Sequence, residues 1–348
     1  MLLLEQMINK FSLLDPEDRV APRLRRIGVC MSPNMSLSSA LLACEPLRSV
    51  NRFYQQPAYE IIFIGPTHLP VTSGIGIAVE SATTFGDDDA FDMVIVCAAY
   101  DQPLSYKKPL TRFLRRQARR GIELCGVDFG AVFMAEAGLL DGYRATMHWE
   151  VMPAVIDRFP NVEFCDDVYV VDRNRLSCGG HMACNDLFLA VVERHQGARI
   201  ARFVAADIIY GAARPADTRQ SNPLSWDPTI RNTHLRHAID LMEENIETPL
   251  SIPAIASEIN ISVRQLQLLS KQHFAETLSN RYLDIRLNAA RHMLMYSDMS
   301  ITEIVAATGF SSASTFSRVF RKRFKTTARA YRKAFISNLA RPYFVAGD

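Results

Sequence analysis

The chain lacks any apolar run long enough to cross a bilayer, which excludes an integral membrane protein of the helical kind. Its opening, "MLLLEQMINKFSLL", has no basic start and reads as an amphipathic N-terminal extension over residues 1–24 rather than a signal peptide. It also lacks any Cys-x-x-Cys pair and any close histidine cluster, so neither a disulfide frame nor a zinc site is expected. The seven cysteines (Cys30, Cys44, Cys97, Cys125, Cys165, Cys178, Cys184) are odd in number and dispersed, the pattern of reduced, buried thiols. No segment is of low complexity, and nothing calls for a metal or cofactor. Together these absences indicate a cytoplasmic globular protein.

What is present divides in two. A chain of 348 residues, 48% of them hydrophobic, exceeds one ordinary core and predicts two domains and a linker. The net charge of +2 conceals an asymmetry: residues 229–348 carry 16 Lys+Arg against 10 Asp+Glu, leaving 23 against 27 for residues 1–228. A basic end of this kind hints at nucleic acid.

In the first part, strand-like runs at "RRIGVCM", "YEIIFIG", "FDMVIVCAA" and "IELCGVD" alternate with helical spacings, including the basic amphipathic "KKPLTRFLRRQARRG" closed by Gly121. Continuous apolar strands among helices predict an α/β layer around a largely parallel sheet. A helix is expected at about 149–158, a hairpin turning at Arg173-Asn174, and helices near 181–195 and 199–212. "RPADTRQSNPLSWDP", with three prolines and no periodicity, is a linker. The organisation expected is a sensor domain over 25–213, a linker over 214–232, a helical domain over 233–333 and a tail over 334–348.

The helical region contains one pattern twice. Ser251 can cap a helix packed through Ile252, Ile255, Ala256 and Ile259, Asn260 can turn the chain, and Ser262 can cap a second helix through Val263, Leu266 and Leu269. About 50 residues on, Ser300, Gly309 and a helix through Phe316, Val319 and Phe320 repeat it. One copy would read equally well as a structural helical hairpin. Two copies joined by one amphipathic helix suit recognition helices in successive major grooves, about 34 Å apart. From Arg318 to Lys333 there are eight basic residues and no acid, a face suited to phosphates in this setting and to solvent in any other.

The stretch "RLNAARHMLMYSDMSITEIVAATGFSSASTFSRVFRKRFKTTARAYR" resembles the DNA-binding domain of the AraC/XylS regulators. It departs from that family's usual pattern at Lys325 (Gly), Ala328 (Pro), Asn260 (Gly) and Ser279 (Pro). The resemblance implies base-facing or phosphate-facing roles for Arg264, Gln267, Leu268 and Lys271 on the first recognition helix. On the second it implies them for Ala313, Ser314, Ser317, Arg318, Arg321 and Lys322. Arginine is the common reader of guanine, and alanine and serine suit thymine methyls and either base edge. The resemblance also implies a double-stranded DNA operator, a homodimer and RNA polymerase as partners.

In the first part, "ELCGVDFGAVFMAEAGLLDG" reads as a strand, a sharp turn and a helix with Asp128 at the apex, where enzymes of this shape hold a thiol or hydroxyl. With "RATMHWE" and "LSCGGHMACNDLFLAVV" it resembles the PfpI-like, class I glutamine amidotransferase-like domain of GlxA-type AraC regulators, a flavodoxin-like α/β fold. The resemblance implies a ligand sensor, and an activator of a catabolic operon that answers arginine, glycine betaine, carnitine or another small nitrogenous metabolite. Asp128 is a poor nucleophile, so a sensor rather than an enzyme is expected. The alternative is a hydrolase or amidotransferase acting on small amides and regulated by its DNA-binding tail.

A carboxylate at a cleft mouth suits a cationic amine, and Trp149 beside His148 is the favoured aromatic wall, with Phe129 and Tyr100 as further candidates. Glu45, in "CEPLRSVN", completes the candidate ligand set. Each has a plainer reading: Asp128 as the cap of the helix starting at Phe129, His148 as a packed core histidine, Glu45 as the ion-pair partner of Arg48. Asp87 to Asp89 read as a solvated turn.

Overall fold

The computed structural model describes residues 23–54, 56–100, 102–220, 230 and 232–339. The expected N-terminal extension up to residue 22, the linker over 221–229 and the tail from residue 340 lie outside the described residues. These fall into two compact units, one of 23–148 with Arg158–Gln220, the other of Trp149–Asp157 with 230–339.

The first unit is built on strands β1 (Arg25–Met31), β2 (Tyr59–Gly65), β3 (Val71–Thr72), β4 (Ala78–Val79), β5 (Thr83–Thr84), β6 (Met93–Ala98), β7 (Glu123–Asp128), β8 (Arg144–Ala145), β9 (Glu163–Phe164), β10 (Tyr169–Asp172) and β11 (Arg175–Cys178). Seven form one sheet in the order β10-β11-β7-β6-β1-β2-β5, and every pairing except β10 with β11 is parallel. The central strand β6, "MVIVCA", is buried at every position, which is why it reads as an unbroken apolar run rather than an alternation. The antiparallel arm is the expected hairpin, with Arg173 left-handed (φ 56) at its turn.

Helices α1 (Leu37–Val50), α2 (Leu104–Arg119), α3 (Gly130–Glu136), α4 (Met152–Val155), α5 (Met182–Gln196) and α6 (Ala198–Asp207) follow in chain order. Ser36 caps α1 by accepting from the Ser39 amide. The basic helix α2 turns Leu110, Phe113 and Leu114 inward and stops before Gly121, at φ +75. Two expected helices are shorter than the spacing suggests. The one expected over 149–158 is four residues of α4 and a 3-10 turn over Ile156–Arg158, because Pro153 fits only a first turn and Pro160 disfavours helical backbone just before it. The one expected over 199–212 stops at Asp207, and Ile209 then turns left-handed (φ 54) with 94% of its surface exposed.

The helical unit contains α7 (Thr233–Glu244), α8 (Ile252–Glu258), α9 (Val263–Phe274), α10 (Leu278–Tyr296), α11 (Ile301–Ala307), α12 (Ala313–Phe324) and α13 (Ala328–Leu339). Leu235, Ile239, Met242, Ile255, Leu266, Leu278, Tyr282 and Ile285 share one core. Both short helices of the repeated pattern start at the expected serines. Ser251 accepts from the Ala254 amide, and Ser300 forms a reciprocal capping box with Glu303.

Candidate ligand cleft and nucleic-acid interface

Strand β7 ends on Asp128, whose backbone is left-handed at φ 59, and α3 starts two residues later. A non-glycine residue in that region costs of order 1–3 kcal/mol and persists only where the surroundings enforce it. Here the enforcement is contact. A Cβ on Gly130 would lie 1.9 Å from the Val96 carbonyl oxygen, and one on Gly126 2.5 Å from the Ala131 nitrogen. The two glycines let the helix press onto the sheet, and the sharp turn holds the Asp128 carboxylate at the strand end, half-buried. The cap position of α3 is Phe129, with no side-chain cap bond, so the plain capping role considered for Asp128 does not describe how this helix starts.

The carboxyl ends of β1, β6 and β7 meet here, where the chain has departed to both sides of β1, the usual crevice of open parallel sheets. Ala98 pairs with Asp128 across β6 and β7, and two residues on, the Tyr100 ring meets Phe129 edge-on at 5.2 Å. Phe129 itself is 5% exposed and packs on Phe133 at 5.4 Å, so it supports Tyr100 from beneath and presents little surface of its own.

The opposite side comes from the junction of β11 and α5. Gly180 (φ +85) runs so close that a Cβ there would be 3.0 Å from the Asp128 Cβ and 3.2 Å from the Ser39 Oγ. His181 follows, also left-handed (φ 48, ψ −128), with its amide donating to Ser39 Oγ at 2.8 Å and its Nδ1 3.1 Å from Ser38 Oγ. His148 stands 6.2 Å from His181, ring to ring. Burial, and secondarily the nearby His181, pull the His148 pKa down to about 4, so its ring is neutral near pH 7 and does not oppose a cation.

Asp128, Tyr100, Phe129 and His148 are thus drawn toward one another or toward the same junction. Glu45 is engaged with Arg48 on α1 through two bonds of 2.8 and 2.5 Å. Trp149 belongs to the segment that groups with the helical unit, and its ring lies 5.5 Å from His292. The aromatic wall favoured from sequence is therefore placed elsewhere, because the chain leaves the α/β unit immediately after His148. Sequence reasoning passed over Ser39, Gly180 and His181. The available signal was the pair of glycines before a histidine in "SCGGH" at a strand-to-helix junction, a second sharp turn like the one at Asp128.

In the helical unit, α8 with α9 and α11 with α12 form the two helix-turn-helix elements, and the 19-residue α10 joins them. The first turn passes through Asn260 (φ 57) and the second through Gly309 (φ +67). Arg286 on α10 clamps the second turn by donating to the carbonyls of Thr308 and Gly309 at 2.8 and 2.6 Å. On α9, Arg264, Leu268 and Lys271 are exposed, on the face away from buried Leu266 and Ser270. Gln267 is half-buried, and its Oε1 accepts from the Leu278 amide at 3.5 Å. On α12, Ala313, Ser314, Ser317, Arg318, Arg321 and Lys322 are all exposed, opposite Phe316 and Phe320.

The basic run beyond is only partly available for phosphate. Arg323 pairs with Asp284 at 2.8 Å, and Arg332 donates to the carbonyls of Leu294 and Met299 at 3.1 and 2.6 Å. Arg318, Arg321, Lys322, Lys325, Arg329 and Lys333 remain exposed. No helix among the described residues is long and apolar enough to cross a membrane.

Known families match both units: a helix-turn-helix domain over residues 255–334 and the DJ-1/PfpI family over residues 41–194. The HTH-type transcriptional regulator CdhR of Pseudomonas aeruginosa is 33% identical over 84% of this chain and 87% of its own. The HTH-type transcriptional regulator GlxA of Rhizobium meliloti is 33% identical over 89% of this chain and 96% of its own. Among solved structures, a THiJ/PfpI family protein from Pseudomonas syringae overlays with a TM-score of 0.51 at 23% identity, covering 66% of this chain and 92% of that one, a likeness of fold.

Proposed function

The chain belongs to the HTH-type transcriptional regulators that join a DJ-1/PfpI domain to an AraC-type helix-turn-helix domain, and from that premise we propose a specific effector, site and set of DNA contacts. A DNA-binding regulator with an effector-sensing domain is the general function of such a chain. The effector we propose is a small nitrogenous metabolite with a cationic centre, an amino acid or quaternary amine such as arginine, glycine betaine or carnitine. The protein acts as an activator of a catabolic operon.

The observation that carries this reading is the Asp128 elbow. A carboxylate held at the strand ends by an enforced backbone, beside the Tyr100 ring and a neutral His148, favours a positive charge on the ligand. Aromatic contact adds about 0.5–2 kcal/mol of cation–π attraction. The same aspartate makes a poor nucleophile, so the domain senses rather than hydrolyses. Arg264 and Arg318 read bases, helped by Ala313, Ser314 and Ser317, while Lys271, Arg321 and Lys322 neutralise phosphates. Effector in the cleft changes how two sensor domains (25–213) associate, which sets the spacing of the DNA-binding domains (233–333) on a repeated operator near RNA polymerase.

Calorimetry of the full chain with glycine betaine and L-arginine tests the central claim. Asp128→Asn should weaken binding by about tenfold or more, the scale of one charge-assisted contact. Equal affinity in the two proteins would remove Asp128 from the site.

A further inference from the structure

The segment that leaves the α/β unit is fastened at two points, and the two fastenings differ in kind. The first is ionic. Asp186 on α5, fully buried, accepts from the Arg214 amide at 2.8 Å, from its guanidinium at 2.9 and 2.6 Å, and from the Tyr210 hydroxyl at 3.0 Å. A charge pair of this kind, with its carboxylate out of water and satisfied on both oxygens, breaks only at high cost.

The second is neutral and lies six residues on. The Gln220 Nε2 donates to the Met147 carbonyl at 2.7 Å, the Thr146 Oγ1 at 3.0 Å and the Asp167 carbonyl at 3.1 Å. Its amide donates to the Asp166 carbonyl, and the Val168 amide donates to the Thr218 carbonyl. The side chain fits because residue 179 is glycine: a Cβ there would stand 2.6 Å from the Gln220 Oε1.

The partners of this second fastening are the two segments that line the cleft. Met147 precedes His148, and Gly179 precedes Gly180 and His181, whose backbone abuts Asp128 and Ser39. A ligand that shifts either segment by a few tenths of an ångström alters the slot that Gln220 occupies.

We infer that Gln220 is a releasable latch, seated between Thr146–Met147 and Gly179, through which the state of the cleft sets the length of tether between the sensor and the DNA-binding unit. When the latch is seated, residues 221–232 separate it from the start of α7, and when it is released the tether begins at Arg214 and gains six residues. Six residues add up to about 20 Å of contour, more than half the 34 Å between successive major grooves, enough to change which half-site spacings two DNA-binding units can satisfy. That the cleft is what drives the latch rests on the effector reading above.

Hydrogen exchange on the full chain separates the two claims. Without ligand, Gln220→Ala and Gln220→Glu should each speed exchange of the Val168 amide and of the residue 220 amide by about tenfold, with the amides of α5 unchanged. The glutamate keeps the bulk but cannot donate to the three oxygens, so it distinguishes lost hydrogen bonds from lost packing. Wild-type rates in both variants would overturn the latch. With glycine betaine or L-arginine bound by calorimetry, the wild type should change exchange at both amides, and the variants should bind the same compound without that change. Binding with no change in the wild type overturns the coupling. If neither compound gives heat, it is the effector reading that falls, and the ligand-free variants still decide whether Gln220 latches the tether.

Discussion

Both units place non-glycine residues in left-handed backbone, and they put them to different use. In the helical unit Asn260, Ala275 and Lys325 take it where a helix ends, Ala275 and Lys325 as the C-caps of α9 and α12. In the α/β unit Asp128 and His181 take it just beyond the ends of the neighbouring strands β7 and β11, on either side of Gly180 and the Asp128 side chain. The first use stops an element. The second aims side chains into a cleft. Strain at a helix end can be relieved by a better residue, whereas strain at a strand end is tied to what the site must present.

The sharpest way to break that comparison is to attack the enforcing contact itself. Gly130→Ala would drive a methyl into the Val96 carbonyl, and it should cost the α/β unit more than about 4 kcal/mol while the helical unit keeps its own unfolding transition. Two calorimetric transitions, with only one lost in the variant, are the expected result, and an unchanged thermogram would mean that the elbow is not enforced from β6.

The next effect is a pH dependence. His148 has its folded pKa depressed to about 4, below the usual 6.5, so the unfolded chain takes up the proton first on acidification. Its contribution is therefore fully present above about pH 6.5 and is lost as the pH falls toward 4, by up to about 3 kcal/mol. Urea unfolding across that window should show the slope in the wild type and a reduced one in His148→Gln. An identical slope in the two would place the acid sensitivity elsewhere.

On the helical side, Arg264→Ala and Arg318→Ala should each weaken operator binding by about 1–3 kcal/mol and relax preference at one base pair. Lys322→Ala should weaken all duplexes alike and reduce the salt slope by about 0.9. Titrations at several salt concentrations distinguish these outcomes, and a uniform loss for both arginines would make them phosphate contacts.

The smallest effect sharpens the comparison. Lys325→Gly removes left-handed strain at the end of α12, at φ 60, and should raise stability by about 0.5–1 kcal/mol without altering the exposed reading face. The same exchange at Asp128 should cost ligand affinity instead.

The two units also differed in how far their letters could be read. Caps and turns act within four residues, so Ser251, Ser262, Ser300 and Gly309 announced the helix-turn-helix elements, and each stands where its spacing put it. The parallel sheet and the Asp128 turn were legible for the same reason: apolar strands and a strand-to-helix junction are local patterns. The rest of the cleft was not. Ser39, Tyr100, Asp128, His148 and His181 come from five separate segments, and only strand order brings them together. Trp149 shows the limit plainly: adjacent to His148 in sequence, it falls in the other unit, because one peptide bond is enough for the chain to change cores. Arg323 and Arg332 make the same point in the basic run, where charge alone could not separate a phosphate ligand from an internal brace.

The margins of the sheet carry one more consequence. One border strand, β5, is only two residues long, and the other, β10, is a four-residue hairpin arm whose entry at Asp166–Val168 is already bonded to Thr218–Gln220. Short, occupied borders give a newly made or crowded chain little backbone on which another could polymerise, a safeguard against fibrous aggregation. They also mean that two sensors cannot join by continuing one sheet into the next, so any pairing surface has to be made of helix side chains, where it can be strengthened or loosened without unravelling a strand.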